Sequence, residues 1–211
     1  MPFIALTIAG SDPSGGAGLQ ADLKTFHQFG VYGEAVVTLI TVQNTTCVSR
    51  VEVMPPDLVG QQIEAVLADI PPHAAKTGAL GSANVIAEVA RLAATFRFPL
   101  VVDPVMVSKH GMALVAEDAM WGFRELLVPV ATLLTPNIPE AEALTGMKIL
   151  DLDGMRRAGE RIREMGAKAV LVKGGHMEGE AADLLVEASG CREFTSSRVE
   201  TRHTHGTGCT Y

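Results

Sequence analysis

Hydrophobic and polar positions follow two different periods along this chain. Short apolar runs bounded by glycine or polar clusters predict buried strands, and apolar positions three or four residues apart predict helices. The predicted strands are residues 3–9, 35–42, 51–54, 74–77, 99–102, 131–134 and 169–172, with an antiparallel pair at 182–186 and 192–195. The predicted helices are residues 19–29, 57–70 with Asp57 as N-cap, 82–94 with Ser82 as cap, 117–127, 140–144 and 155–165.

Strands and helices alternate along most of the chain, which predicts an α/β fold with a mostly parallel central sheet covered by helices on both faces. No repeat or linker interrupts this order, so we expect residues 1–211 to form a single domain. The chain stops at Tyr211, two residues after a glycine-rich loop. We therefore expect the natural protein to continue and the domain to be incomplete at its C-terminus.

Composition narrows the possible partners. The 211 residues are 47% hydrophobic and 19% charged, with a net charge of −7. This balance is typical of a globular protein and argues against a nucleic-acid-binding surface. The three cysteines are scattered and contain no C-x-x-C pair, which favours a reducing, cytoplasmic environment. The first apolar run is too short to span a membrane, so no membrane association is expected.

The loop around Gly206-Thr207-Gly208-Cys209 carries the strongest chemical signal. Glycines allow a tight turn whose successive N–H groups bind an anion. A helix beginning at Cys209 would add its N-terminal partial charge and favour the thiolate. The loop is therefore a candidate site for a phosphate with a base beside it. The alternative is an ordinary glycine turn with a buried, inert cysteine.

Four polar residues follow predicted strands at one edge of the sheet, where ligands bind in such folds. Asp103 is well placed to bind Mg²⁺, directly or through water, and Asn137 with Glu140 could position Mg²⁺ and phosphate. Lys173, followed by two glycines, suits a polyphosphate. The alternatives are helix capping by Asn137 and Glu140, and a solvated Lys173.

Polar residues near the first two strands have both a binding and a structural interpretation. Asp22 could accept a hydrogen bond from a ligand or complement a helix dipole, and Gln43 could bind the edge of a heterocycle while Asn44 caps a turn. Residues 16–21 match the G-x-G-x-x-A dinucleotide fingerprint, but residues 11–14 separate them from the strand, which argues against nicotinamide binding.

Together these motifs resemble the ribokinase-like superfamily and, within it, the hydroxymethylpyrimidine/phosphomethylpyrimidine kinases of thiamine synthesis. The resemblance covers nearly the whole chain. The segments that carry it are residues 8–18, 20–25, 42–45, 76–78, 102–106, 135–137, 139–142, 172–176 and 205–210.

The resemblance implies Mg²⁺-dependent and ATP-dependent phosphorylation of a hydroxymethylpyrimidine and then of its monophosphate, in a homodimer. It also implies a role for each matching position. These roles are a pyrimidine pocket at Gly10, Asp22, Val42 and Gln43; Mg²⁺ at Asp103 and Glu140; nucleotide phosphates at Asn137, Lys173 and Thr207; and an anion hole at 206–209 with Cys209 as base.

Two differences from the family pattern and two rival functions accompany this resemblance. Ala79 stands where members often carry Met, and the family continues past Tyr211 with a helix that helps to close the ATP site. The near rival is a pyridoxal or pyridoxine kinase of the same superfamily. The distant rival is a non-catalytic protein that binds a vitamin phosphate.

Overall fold

A nine-stranded sheet runs through the part of the chain that the computed structural model describes, which is residues 2–106, 119–175, 181–197 and 206. The strand order is β3-β2-β1-β4-β5-β6-β7-β8-β9. The strands are β1 (Ile4–Ser11), β2 (Tyr32–Gln43), β3 (Val48–Val53), β4 (Ala74–Thr77), β5 (Leu100–Val102), β6 (Leu133–Leu134), β7 (Ala169–Val172), β8 (Ala181–Glu187) and β9 (Gly190–Ser196).

Five of the six helices agree with the predicted ones to within about three residues at each end, and the helix at Ala119–Gly122 is the exception. Ser82 caps α3 as expected, by accepting a hydrogen bond from the N–H of Val85. The helices are α1 (Gly18–Gln28), α2 (Pro56–Asp69), α3 (Ala83–Ala93), α4 (Ala119–Gly122), α5 (Ile138–Thr145) and α6 (Leu152–Glu164).

Two helix predictions were wrong in detail. Asp57 is not the N-cap of α2, because Pro56 already occupies the first turn, where its missing N–H costs no hydrogen bond, and Pro55 is the cap. The helix predicted over 117–127 is a single α-turn that widens into a π-helical turn at Phe123–Leu127. Residues 117 and 118 lie outside the described residues.

The sheet reverses its winding direction between β1 and β4. Strand β1 pairs in parallel with β2 on one side and with β4 on the other. Strands β5, β6 and β7 then follow outward in parallel, while β3, β8 and β9 pair antiparallel. Right-handed crossovers in opposite directions put α1 and α3 on opposite faces. The expected α/β architecture is confirmed, and the reversal creates a crevice at the carboxyl ends of the strands.

The core lies on both sides of this sheet and fixes the strand ends. Ile8, Val102, Leu134 and Val172 are fully buried on four different strands. Val102, Leu134 and Val172 are the last residues of their strands, and Ile8 lies three residues before the end of β1. The polar residues that follow are thereby held on a rigid frame. Among the described helices, none is long and apolar enough to cross a membrane.

Candidate active site

A buried ion pair joins the ends of β5 and β7. The Nζ atom of Lys173 lies 3.1 Å from Oδ1 of Asp103, and both side chains are largely shielded from water. The Thr135 hydroxyl donates a longer hydrogen bond, of 3.4 Å, to the same carboxylate oxygen. Lys173 is therefore not the solvated surface lysine of the alternative interpretation. Its charge is held within the crevice.

Asn137 and Glu140 form a reciprocal capping box at the start of α5. The Asn137 side chain accepts from the N–H of Glu140 at 2.9 Å, and the Glu140 carboxylate accepts from the N–H of Asn137 at 2.8 Å. The capping interpretation of the sequence is confirmed. The backbone of Asn137 also forms a parallel bridge with Lys173, which joins the capping box to the ion pair.

Glu140 has an unusual protonation equilibrium. Burial, followed by the negative charge of Asp103, raises the pKa of Glu140 to about 7, although the hydrogen bonds from Asn137 and the charge of Lys173 act in the opposite direction. Lys173 is paired with Asp103, so its charge offsets the burial of the Glu140 carboxylate only in part. Such a site favours the arrival of a further cation or of a proton.

A second buried ion pair lies on the other side of the crevice. Asp22 of α1 is 1% exposed, accepts a hydrogen bond from Thr7 of β1 and pairs with Lys76 of β4 at 2.7 Å. Both oxygens of Asp22 therefore have protein partners. Gly78 is the first residue after β4. A Cβ added to Gly78 would lie 3.9 Å from the Nζ atom of Lys76.

The end of β2 carries the residues predicted to contact the pyrimidine. Val42 is exposed, and Gln43 is half-buried where the pairing with Val48 of β3 shifts register. Asn44 accepts hydrogen bonds from residues 46 and 47, so its predicted turn-capping role is confirmed. Gly10 of β1 packs against Leu39, because a Cβ added to Gly10 would lie only 2.5 Å from the Leu39 side chain.

The loop between β1 and α1 spans residues 12–17, which is too long for the tight turn of a dinucleotide fingerprint. This loop contacts Gly206 directly. Gly206 has φ +75°, and a Cβ there would lie 1.6 Å from the carbonyl oxygen of Gly16. Only a glycine fits so close to another backbone.

Several predicted residues lie outside the described part of the chain. Thr207, Gly208 and Cys209 are among them, as are the histidines at 176, 203 and 205. Within the described residues, no group of three or more His, Cys, Asp and Glu side chains could hold a metal ion. Asp103 and Glu140 alone do not form such a group.

The sequence pattern assigns no role to Asp12 or Thr7, and Lys76 falls only within the family-like segment 76–78. A lysine inside a short apolar strand was a usable signal, because a charge there requires a buried partner. The partner, Asp22, is 54 residues away along the chain, so the pairing itself could not be predicted.

Comparison with known proteins identifies the family. A family model described as phosphomethylpyrimidine kinase matches residues 12–211. A hydroxymethylpyrimidine/phosphomethylpyrimidine kinase from Bacillus subtilis strain 168 is 46% identical, with 99% of this chain and 78% of the relative covered. The crystal structure of a phosphomethylpyrimidine kinase from Clostridium difficile 630 has a TM-score of 0.86 and 49% identity, over 92% of this chain and 84% of the other.

A pyridoxal kinase has a similar fold at lower identity. The enzyme from Staphylococcus aureus in complex with ADP has a TM-score of 0.90 and 35% identity, over 99% of this chain and 77% of the other. The family match therefore favours the pyrimidine kinases over the pyridoxal kinases. This chain belongs to the phosphomethylpyrimidine kinase family and is a phosphotransferase.

Proposed function

We propose that the protein phosphorylates 4-amino-5-hydroxymethyl-2-methylpyrimidine with ATP and then phosphorylates the monophosphate to give the pyrophosphate. The observation that carries this proposal is the buried cluster in which Lys173, at the end of β7, pairs with Asp103, at the end of β5. Phosphoryl transfer depends on positioning and charge neutralisation more than on covalent chemistry. A fixed cation paired with Asp103 near the carboxylate of Glu140, at the carboxyl ends of the parallel strands, supplies both requirements.

The nucleotide binds, in this proposal, at the β5–β7 end of the crevice. Lys173, Asn137 and Thr207 contact its phosphates. Asp103 and Glu140 offer the hard oxygen ligands that Mg²⁺ prefers. The raised pKa of Glu140 reflects its burial first and the negative charge of Asp103 second. Mg²⁺ usually takes one or two carboxylates and completes its shell with phosphates and water. When bound, it would neutralise charge on the phosphates.

The acceptor binds at the β1–β2 end, with Gln43, Asp22, Gly10 and Val42 forming its pocket. The oxygen of the acceptor attacks the γ-phosphorus, the bond to ADP breaks, and the alcohol proton passes to the thiolate of Cys209. The N–H groups of residues 206–209, including Gly206 and Gly208, donate hydrogen bonds to the phosphoryl oxygens during transfer.

A pyridoxal kinase is the second candidate, because the fold similarity to the Staphylococcus aureus enzyme is high. ADP formation measured with hydroxymethylpyrimidine, with its monophosphate and with pyridoxal separates the two. We expect the highest kcat/KM with hydroxymethylpyrimidine and clear turnover of the monophosphate. Faster turnover of pyridoxal would reverse the assignment, and binding without ADP formation would favour a non-catalytic protein.

We also propose that the protein is a cytoplasmic homodimer. The exposed thiols of Cys47 and Cys191 are free, which suits a reducing compartment. Sedimentation equilibrium tests the dimer, which predicts a particle of twice the 22.3-kDa chain mass. A particle of single chain mass across the assay concentrations would contradict it.

A further inference from the structure

Asp12 organises the loop that follows β1. It is 2% exposed and accepts hydrogen bonds from the N–H of Ser14 and Ala17 at 2.9 Å and from that of Gly16 at 3.2 Å. The Ser14 hydroxyl lies within 2.9 Å of both carboxylate oxygens and donates to them. One buried side chain thus fixes three backbone N–H groups of a glycine-rich loop that has little conformational preference of its own.

The base of the same loop is closed by a second set of contacts. The Gln20 side chain accepts from the N–H of Asp12 and donates to the Ser11 hydroxyl. The backbone of Ser11 bridges to Gly18, where a Cβ would lie 2.2 Å from the carbonyl oxygen of Gly10. The loop is therefore anchored to the end of β1 on one side and to the start of α1 on the other.

The far side of the loop supports Gly206. The carbonyl of Gly16, whose N–H is held by Asp12, lies against the α-carbon of Gly206 so closely that no side chain fits between them. The position of Gly206 is thus set by the shape of residues 14–17. Any shift of that loop must move Gly206, or else open the contact.

We propose that Asp12 is a positioning residue for phosphoryl transfer. By fixing the carbonyl of Gly16, it sets where Gly206 lies. This inference rests on the proposed function, in which residues 206–209 hold the moving phosphoryl group. Displacement of a catalytic group by about 1 Å lowers rates by roughly 10²-fold, so a loop anchor outside the reacting atoms affects turnover strongly.

The test is Asp12→Asn. An amide offers one acceptor oxygen where the carboxylate offers two, and its NH₂ group would face N–H donors. We expect kcat with hydroxymethylpyrimidine to fall by ~10-fold to ~10²-fold while KM for the pyrimidine stays within about twofold. The matched control is Asp151→Asn, because Asp151 accepts from the N–H of Gly154 as the cap of α6 and should leave kcat unchanged.

A double-mutant cycle with Gly206→Ala separates positioning from general damage. A methyl group at Gly206 would collide with the carbonyl of Gly16, so both substitutions disturb one contact. We expect the double variant to be no slower than the slower single variant. Two outcomes would overturn the inference: a double variant in which the two losses of kcat multiply, or an unchanged kcat in Asp12→Asn.

Two further outcomes have definite meanings. Should Asp12→Asn fail to fold, Ser14→Ala removes the hydroxyl bonds to Asp12 and keeps the bond from the backbone N–H of residue 14; a lower kcat at constant KM then supports the inference, and an unchanged kcat overturns it. Absent turnover in the unaltered protein removes the proposed function together with this inference. Normal turnover with a fully active Asp12→Asn variant removes this inference alone.

Discussion

Glu140 combines a structural role and an electrostatic cost in one side chain. It completes the capping box of α5, yet its carboxylate lies buried near Asp103. Its folded pKa of about 7 exceeds the ordinary value of 4.5, so the folded state binds the proton more tightly than the unfolded state does. The stabilisation from that proton is complete below about pH 4.5 and is lost as the pH rises through about 7.

We therefore predict that Glu140→Gln makes the free energy of unfolding less dependent on pH. Gln keeps an oxygen that can accept from Asn137 but carries no charge. Relative to the variant, the unaltered protein should lose about 2 to 3 kcal/mol of unfolding free energy between about pH 4.5 and about pH 8. Urea unfolding with EDTA present measures this difference.

Glu142 provides the control on the same helix. Hydrogen bonds from the backbone of Ile149 and from Lys148 lower the pKa of Glu142, so its contribution is present above its ordinary pKa and is lost only at more acidic pH. Glu142→Gln should leave the profile between about pH 4.5 and about pH 8 unchanged. Parallel pH profiles for the unaltered protein and Glu140→Gln would contradict the assignment.

Cys209 distinguishes the two proposed phosphorylation steps. The first acceptor is an alcohol, which benefits from a base, whereas the second is a phosphate that is already anionic at neutral pH. Cys209→Ala should slow the first step by ~10²-fold or more, the usual scale for general acid–base catalysis, and the second step far less. Separate assays with the two acceptors measure this, and Cys191→Ala is the control. Equal losses in both steps would exclude Cys209 as the base.

At the scale of elements, ion pairs connect segments that are distant in sequence. Asp22 connects α1 to both β1 and β4, through Thr7 and Lys76. Lys173 connects the ends of β7 and β5 across 70 residues. The first pair joins a helix to strand β4, and the second joins the ends of β5 and β7 on either side of β6. The packing of the sheet and α1 therefore creates both pairings, and each pairing holds a charge in the crevice.

The local elements were largely predictable from the sequence. Strands β4 and β7 have the predicted bounds, and the hairpin of β8 and β9 was expected from its alternation and its glycine turn. The capping box between Asn137 and Glu140 is also local, because its two members are three residues apart. These features depend on a few neighbouring residues, which is why periodicity and capping rules find them.

The remaining features depend on tertiary packing. The π-helical turn at Phe123–Leu127 has fully buried residues at both ends, Phe123 and Leu127, which a periodic pattern does not distinguish from an α-helix. The contact between Gly16 and Gly206 joins loops about 190 residues apart along the chain. Sequence spacing placed Asp103, Asn137, Glu140 and Lys173 at one edge, but it could not give the pairing of Asp103 with Lys173 or the raised pKa of Glu140.

At the scale of the whole molecule, the crevice has two ends that lie far apart along the sheet. Gln43 closes β2 and Lys173 follows β7, and β1, β4, β5 and β6 lie between these strands. Five strand spacings correspond to about 24 Å. Substitutions separated by more than about 10 Å without shared partners act independently. The two substrates approach from opposite ends of the crevice in the proposed function.

We predict that pyrimidine binding and nucleotide binding can be weakened separately, by substitutions at opposite ends of the crevice. Gln43→Ala should raise KM for the pyrimidine by ~10-fold, as expected for a lost hydrogen bond, while ATP with Mg²⁺ still raises the melting temperature as in the unaltered protein. Lys173→Gln should abolish most of that nucleotide-induced shift and leave pyrimidine affinity within about twofold. Its melting temperature without nucleotide must be compared as well, because Asp103 loses its ion-pair partner. Thermal shift and pyrimidine titration of both variants test the division, and a single variant that loses both responses while still folded would contradict it.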